Sequence, residues 1–587
     1  MSDVPQPAPV VVPPPPSLGR SAWPVRALRR VSGSRAFVWL ALVVAGVLVL
    51  PIVAVVVNIF APSDSGAWDH LAATVLPRYV VNTLWLVAGV GLGVPVIGAG
   101  TAWLVTMCRF PGRRLFEWAL ILPLAVPAYV MAYTYTDFLQ FTGPVQSLLR
   151  ELTGWGPGDY SFPEIRSLGG AVVMLIFVLY PYTYLLCRAA FLEQSVCALE
   201  VSRTLGCSAF GSFLRVALPL ARPAIAAGTS LALMETLADY GTVSFFGVPT
   251  FTTGVIRAWI SLGDRVAAAQ LASALLGLVF LVLVLERWSR GRARYHHTSM
   301  RYQRLPDYRL VGWRGALACL ACVTPLAIGF LIPAAILLKM TLEAGDQQFG
   351  QRFVALAVNS FSLAGITAVL AAVLACLLAY GARIRPGRLT GLANRTVALG
   401  YAVPGAVVAV GTLLPLAYFD NAIDGFMRET FGLSTGLIFT GTIFALVYAY
   451  LVRFLAVSLN TVEASLAKVR PSMDDAARSL GHGPAGTLVR VHVPLMWAGL
   501  STAGLMVFVD VMKELPATLV MRPFNFDTLA VQAFNLASDE RLSEAATASL
   551  VIVAVGVLPL ILLSRTIARA RPGAERAPAR VPAEAAG

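Results

Sequence analysis

Four carboxylates, Glu235, Asp239, Asp510 and Glu514, stand inside otherwise apolar stretches of a 587-residue chain. An ionisable group in such surroundings is costly unless it faces a cavity or a partner, so each is a candidate for holding or moving charge. The first pair lies in Leu233-Met234-Glu235-Thr236-Leu237-Ala238-Asp239-Tyr240-Gly241. The second lies in Asp510-Val511-Met512-Lys513-Glu514-Leu515-Pro516-Ala517-Thr518, with Lys513 between the acids. Glu235 aligns with Asp510, and Asp239 with Glu514, at one offset of 275. On a helix the i, i+4 spacing puts each pair on one face. Counted from Arg222 at ~1.5 Å per residue, Glu235 stands ~20 Å and Asp239 ~25 Å along the helix, towards the outer part of a pore. Carboxylates and the Tyr240 phenol are hard oxygen donors, better suited to a hard cation such as Fe³⁺ than thiol or imidazole would be. The plainer reading is that these groups brace helices, with Lys513 neutralising a nearby acid. The residues alone leave both readings open.

The same offset governs a second, polar stretch. Glu200-Val201-Ser202-Arg203-Thr204-Leu205-Gly206 is followed after nine residues by Val216-Ala217-Leu218-Pro219. Asp475-Ala476-Ala477-Arg478-Ser479-Leu480-Gly481 is followed, again after nine, by Val491-His492-Val493-Pro494. An acid at Glu200 or Asp475 suits the first turn of a short helix, where it meets the positive end of the dipole. Gly206 and Gly481 permit the left-handed turn that ends that helix. Pro219 and Pro494 suit entry into the next one, where a missing N–H is harmless. One copy would be an ordinary helical hairpin. Two with identical spacing predict a docking surface built in duplicate.

These stretches need a frame, and composition supplies it. With 57% hydrophobic and 13% charged residues the chain is no soluble globular protein. Apolar runs fall at 37–60, 80–107, 118–136, 169–187, 223–246 and 266–285, then at 315–338, 354–380, 397–419, 437–452, 495–520 and 545–563. Most approach or exceed the ~20 residues that cross a bilayer as a helix. The net charge of +14 gathers in alternate loops, around Arg109, Arg203, Arg287–Arg314, Arg383 and Arg478, while the intervening loops carry Asp64, Glu151, Glu343, Asp420 and Asp539. The positive-inside rule then puts both termini and both repeated stretches in the cytoplasm. It also makes the basic charge a matter of membrane lipid, with no nucleic acid implied.

The repeat extends further. Val81-Asn82-Thr83-Leu84 resembles Val358-Asn359-Ser360-Phe361, Ala125-Val126-Pro127 matches Ala402-Val403-Pro404, and Tyr182-Thr183-Tyr184-Leu185 matches Tyr448-Ala449-Tyr450-Leu451. An even number of spans per half gives the halves one orientation. The expected fold is therefore an all-α integral membrane protein, twelve transmembrane helices arranged as two parallel six-helix repeats. The predicted divisions are a disordered tail over 1–35, a first repeat over 36–287, a basic linker over 288–313, a second repeat over 314–567 and a tail over 568–587.

Other chemistry is scarce. The lysines are Lys339, Lys468 and Lys513, none preceded by glycine, so no P-loop exists and the chain holds no ATP by that route. Cys319 and Cys322 form a lone C-x-x-C within an apolar run, best read as buried small hydrophobes. His70, His296, His297, His482 and His492 make no metal motif, and no cofactor or catalytic residue is indicated.

The duplicated polar stretch resembles the cytoplasmic "EAA" loop of binding-protein-dependent ABC importer permeases, although Val201-Ser202 stands where that family usually has Ala-Ala. The resemblance covers both halves and implies a fused permease. Its ATPase-coupling residues would be Glu200, Gly206, Leu218, Pro219, Asp475, Ala476, Ala477, Gly481, Val493 and Pro494. It implies two copies of a cytoplasmic ABC ATPase carrying ATP and Mg, a periplasmic or surface-tethered binding protein, and a place in the bacterial inner membrane. Glu235 through Val243 with Gly247-Val248-Pro249-Thr250-Phe251, and Lys513 through Leu519 with Arg522-Pro523-Phe524-Asn525-Phe526-Asp527, look like the ferric-iron branch. On that resemblance Glu235, Asp239, Tyr240, Asp510, Lys513 and Glu514 are pathway candidates. Thiamine, a polyamine or a phosphonate are alternative cargoes, the last calling for arginines in the pore. A secondary transporter would need no duplicated docking loop, and a membrane enzyme would need a catalytic pair that is not seen.

Overall fold

The computed structural model describes residues 23–61, 67–156, 158–193, 202, 204–290, 308–344 and 350–569. Long apolar runs satisfy their backbone hydrogen bonds internally by becoming helices, the solution a bilayer demands. The first half contributes α1 (Trp23–Val57), α2 (Leu76–Met107), α3 (Ala128–Leu139), α4 (Leu168–Glu193), α5 (Arg222–Ala238) and α6 (Arg265–Arg290). The second contributes α7 (Trp313–Leu326, continued by Ile332–Ala344), α8 (Gln351–Ile384), α9 (Gly405–Phe431), α10 (Ile443–Leu466), α11 (Trp497–Met512) and α12 (Leu542–Arg569). Among the described residues nine helices are long and apolar enough to cross a membrane, and three bent pairs bring the number to twelve.

The bent pairs depart from the expectation of straight spans. The stretch expected over 118–136 turns by 92° between Arg113–Ala125 and Ala128–Thr153. Pro127 explains it, since a proline pushes the residue before it out of the helical region, and Val126 is extended. The stretches expected over 223–246 and 495–520 are bent where they leave the repeated loops, by 73° and 79°, and then break again at Asp239 and Lys513. Helix α1 starts at Trp23, inside the expected tail; after Pro24 no proline interrupts residues 25–50, so the helix propagates back from the apolar run. Towards the other end of the linker, Tyr308–Arg309 pairs in parallel with Cys108–Arg109, the one strand pairing among the described residues.

Each half is built on a bundle of three helices with the same membership: α2, α4 and α5 in the first, α8, α10 and α11 in the second. The first helix of each half leaves its own bundle. Helix α1 packs on α8 and α9 of the second half, while Trp313–Leu326 packs on α2 of the first. This exchange ties the halves together through two apolar clusters, α1 contributing to one and Trp313–Leu326 to the other.

Close approach within the bundles depends on small residues. A Cβ on Gly98 of α2 would come 2.8 Å from Thr183 Cβ, and one on Gly228 of α5 would come 2.5 Å from Thr183 Cα. Both neighbours therefore pack on the same point of α4. The matching positions in the second half are Ala375 and Ala503, both fully buried. We predict that Gly228→Val destabilises the detergent-purified protein by about 1–3 kcal/mol, the usual cost of overpacking. Gly277→Ala, whose Cβ would meet nothing within 4 Å, should not lower the melting temperature.

Candidate functional site

The two repeated loops take the same local structure. In each a glycine adopts a left-handed conformation, Gly206 at φ +79° and Gly481 at φ +84°. The turn closes with the same hydrogen bond, Cys207 N to Ser202 O and His482 N to Ala477 O, both at 3.0 Å. A short helix follows (Ala209–Ser212 or Pro484–Thr487), then a π turn (Phe213–Ala217 or Leu488–His492). One more turn carries Leu218 and Pro219, or Val493 and Pro494, into the bend before α5 or α11. Leu205 and Leu480, one residue before each glycine, are 77% and 78% exposed. Paired apolar tips on a polar loop are what a docking partner would cover.

Differences in seating are equally informative. Glu200, Val201 and Arg203 lie outside the described residues. In the second loop the helix starts at Pro471, so Asp474 and not Asp475 is its first-turn acid; Asp475 pairs with Arg478 at 2.6 Å. Ala477 is buried, whereas Ala476 is exposed. Arg383 of α8 holds the loop, donating from Nε to Asp474 at 2.9 Å and from its two Nη atoms to the Leu466 and Val469 carbonyls at 2.7 and 2.8 Å. Asp474 also bonds the buried His492 at 2.5 Å. Burial opposes the Asp474 charge, but the hydrogen bonds and charges of Arg383 and His492 outweigh it and hold the carboxyl below its ordinary range. The first loop has an apolar seat instead, with Trp103 against Phe191 and Phe213.

At the far ends of α5 and α11 lies a cavity of about 110 Å³, and all six pathway candidates line it. Helix α5 stops at Ala238 and α11 at Met512, so the second acid of each pair sits beyond its helix and the expected shared face is lost. Those second acids have structural work. Asp239 accepts from Thr242 Oγ1 at 3.0 Å and Val243 N at 3.1 Å, capping the turn Gly241–Phe245. Glu514 accepts from Ala517 N at 2.9 Å, Thr518 N at 3.0 Å and Thr518 Oγ1 at 2.6 Å, capping Pro516–Met521. Lys513 lies 2.9 Å from Asp510. Tyr240 faces the cavity and packs against Phe534. Among the described residues no group of three or more His, Cys, Asp or Glu could hold a metal ion, so the four carboxylates share a cavity without forming a ready metal cage.

Sequence reasoning missed Arg453. Its guanidinium, on a residue 8% exposed, lies 3.5 Å from Glu235 of the first half and 3.6 Å from Glu514 of the second. The apolar run was ended at 452, one residue too soon, which put Arg453 at a membrane edge. The signal was there in Phe454-Leu455-Ala456-Val457, which continues the run past the arginine. Tyr129, Tyr182 and Tyr401 also line the cavity; Tyr182 stands in a repeated motif, but nothing in the sequence set the three apart as cavity residues.

A family model described as "Binding-protein-dependent transport system inner membrane component" matches residues 27–294. The chain is 26% identical over 495 residues to the Fe(3+)-transport system permease protein of Haemophilus influenzae, covering 82% of this chain and 89% of that one. It is 24% identical over 499 residues to the ferric transport system permease protein of Actinobacillus pleuropneumoniae, covering 81% and 69%. It is 30% identical over 202 residues to the molybdenum transport system permease protein of Escherichia coli K12, covering 33% of this chain and 85% of that one.

Two outcomes test the geometry. Asp239→Ala should cost about 1 kcal/mol, as lost helix caps do. Glu514→Ala should cost about 3–5 kcal/mol, because it also strips a buried arginine of a counter-charge. Thermal unfolding of the two purified variants gives the order. The Asp474 contribution should be present in full above its unfolded value near 3.8 and fade only as pH falls through the lower folded value. Asp474→Asn should therefore be less stable than the wild type at neutral pH, and thermal unfolding should show the gap closing as pH falls below about 3.8.

Proposed function

The chain belongs to the binding-protein-dependent inner membrane components, the permeases of ABC importers, and from that membership we propose that it carries ferric iron across the inner membrane. It is a permease subunit and not an ATPase; a separate subunit hydrolyses ATP and a substrate-binding protein delivers cargo. The observation that carries the cargo is length of match. The ferric permeases of Haemophilus and Actinobacillus align over 82% and 81% of this chain, through both halves, whereas the molybdenum permease aligns over 33%.

In this reading two ATPase copies dock, one on each repeated loop, with Leu205 and Leu480 buried in the contact. Both termini lie in the cytoplasm. The predicted divisions at 36–287 and 314–567 are the two permease repeats, fused into one chain. Closure of the ATPases moves the loops, and the bends before α5 and α11 pass that motion to the cavity. Glu235, Asp239, Tyr240, Asp510, Lys513 and Glu514 line the path there. The two halves then alternate between facing outward and facing inward, biased by ATP on one side and the loaded binding protein on the other.

An oxyanion is the second reading, favoured by Arg453 and Lys513 in the cavity wall. One measurement separates the two: ATPase activity of the reconstituted permease–ATPase complex, with each candidate binding protein loaded and unloaded. Stimulation by the iron-loaded protein alone is the expected result. Stimulation by a protein carrying an oxyanion would keep the architecture and remove iron. Gly481→Val, forced into a left-handed conformation that a β-branched residue rarely adopts, should lower stimulation several-fold by misplacing the loop.

A further inference from the structure

Arg453 bridges two carboxylates from opposite halves, and the details of that bridge matter. Both contacts, 3.5 and 3.6 Å, exceed the about 2.7–2.9 Å of a tight charged hydrogen bond. The guanidinium is attracted without being clamped. Its Nε is buried with no hydrogen-bond partner, and so is the hydroxyl of Tyr129, a cavity-lining residue only 5% exposed. Four carboxyl groups line the cavity against two basic side chains. Of the two acids that Arg453 meets, Glu514 keeps three other donors, from Ala517 and Thr518. Glu235 has Arg453 as its one hydrogen-bond and ion-pair partner among the described residues, with Lys513 near enough to act on it through charge alone.

We propose that Arg453 is a tethered stand-in for a hard polyvalent cation, occupying the Glu235 carboxylate that such a cation takes during transport. The inference rests on the cationic reading of the cargo given above and adds the site. When the halves part, Arg453 stays with Glu514 on its own half and the Glu235 carboxylate is released into the cavity. Glu235 and the unpartnered Tyr129 phenol then offer hard oxygen donors to a cation, with Asp510 near by. The same pair closes the path otherwise, because a buried carboxylate without a counter-charge is disfavoured. An anion site at Arg453 fits less well, since both of its neighbours there are carboxylates and Lys513 is already held by Asp510 at 2.9 Å.

The test uses the full permease–ATPase complex in lipid nanodiscs, probed with radiolabelled ferric nitrilotriacetate and, as a second polyvalent cation, spermidine. Arg453→Gln should bind iron at least about tenfold more tightly than the wild type. The double variant Arg453→Gln with Glu235→Gln should lose that gain, and Arg453→Lys, which keeps the charge, should match the wild type. If Arg453→Gln binds neither cation more tightly, the inference is wrong. A gain for spermidine without one for iron would keep the stand-in and remove ferric iron as the cargo. Loss of sulfate or molybdate binding in Arg453→Gln would overturn it, making the residue an anion ligand. Should Arg453→Gln fail to assemble, Glu235→Gln in vesicles is read instead. Its iron uptake should fall at least about tenfold with binding-protein docking retained, and unchanged uptake would refute the site.

Discussion

A helix broken within the membrane leaves carbonyls unpaired where it stops and N–H groups unpaired where the next turn starts, with no water to satisfy them, and the centre of this protein is organised by that constraint. Helices α5 and α11 both stop short, at Ala238 and Met512. The short turns beyond them begin with unpaired amides, and a carboxylate answers each set: Asp239 at Val243, Glu514 at Ala517 and Thr518. Each acid is thereby fixed at the end of a lever whose other end is a repeated loop. Gly405 shows how tightly the site is drawn, since a Cβ there would lie 2.7 Å from Glu514 and 3.2 Å from Arg453. The caps stabilise the breaks, and the cavity lies at the breaks, where the halves meet.

Duplication gives this centre its symmetry, and the departures from duplication give it direction. Acids are conserved in position between the halves at the offset of 275, but the bases are not. The residue matching Lys513 is Ala238, and the residue matching Arg453 at the offset of the Tyr182/Tyr448 repeat is Cys187. Both positive charges therefore enter the cavity from the second half. The loops are also seated differently, on Trp103 and Phe213 in one half and on Arg383, Asp474 and His492 in the other. One chain carrying both halves lets each copy diverge, which identical subunits would not allow.

Much of the fold was legible because membrane segments advertise themselves. Twelve apolar runs and the alternating basic loops led to the helix count, and the fixed offset led to the repeat. The repeated loops were legible down to Gly206 and Gly481, whose left-handed turns follow from residue type. Helix breaks were not. The apolar runs 223–246 and 495–520 resume beyond Asp239 and Lys513, so periodicity reads one helix where two elements exist. Pro516 hinted at the second break, but nothing in Asp239-Tyr240-Gly241 announces the first. Arg453 was lost for the converse reason: a charge in an apolar run looks like the end of a span, and only its two carboxylate partners, far away in sequence, show that it is inside one.

Loop and cavity are two ends of the same rods. Helix α5 has 17 residues and α11 has 16, so each spans about 25 Å at ~1.5 Å per residue. A rod of that length, bent by 73° or 79° from its loop, converts a sideways push at one end into a rotation at the other. The π turns just before the bends sit in the same place in both copies, and such turns mark places where a helix gives. On the proposed reading, a displacement of Leu205 or Leu480 by a closing ATPase would be delivered as a change in the spacing of Glu235 and Arg453. That pair, loose in distance and drawn from opposite halves, is the contact in the cavity best placed to register it.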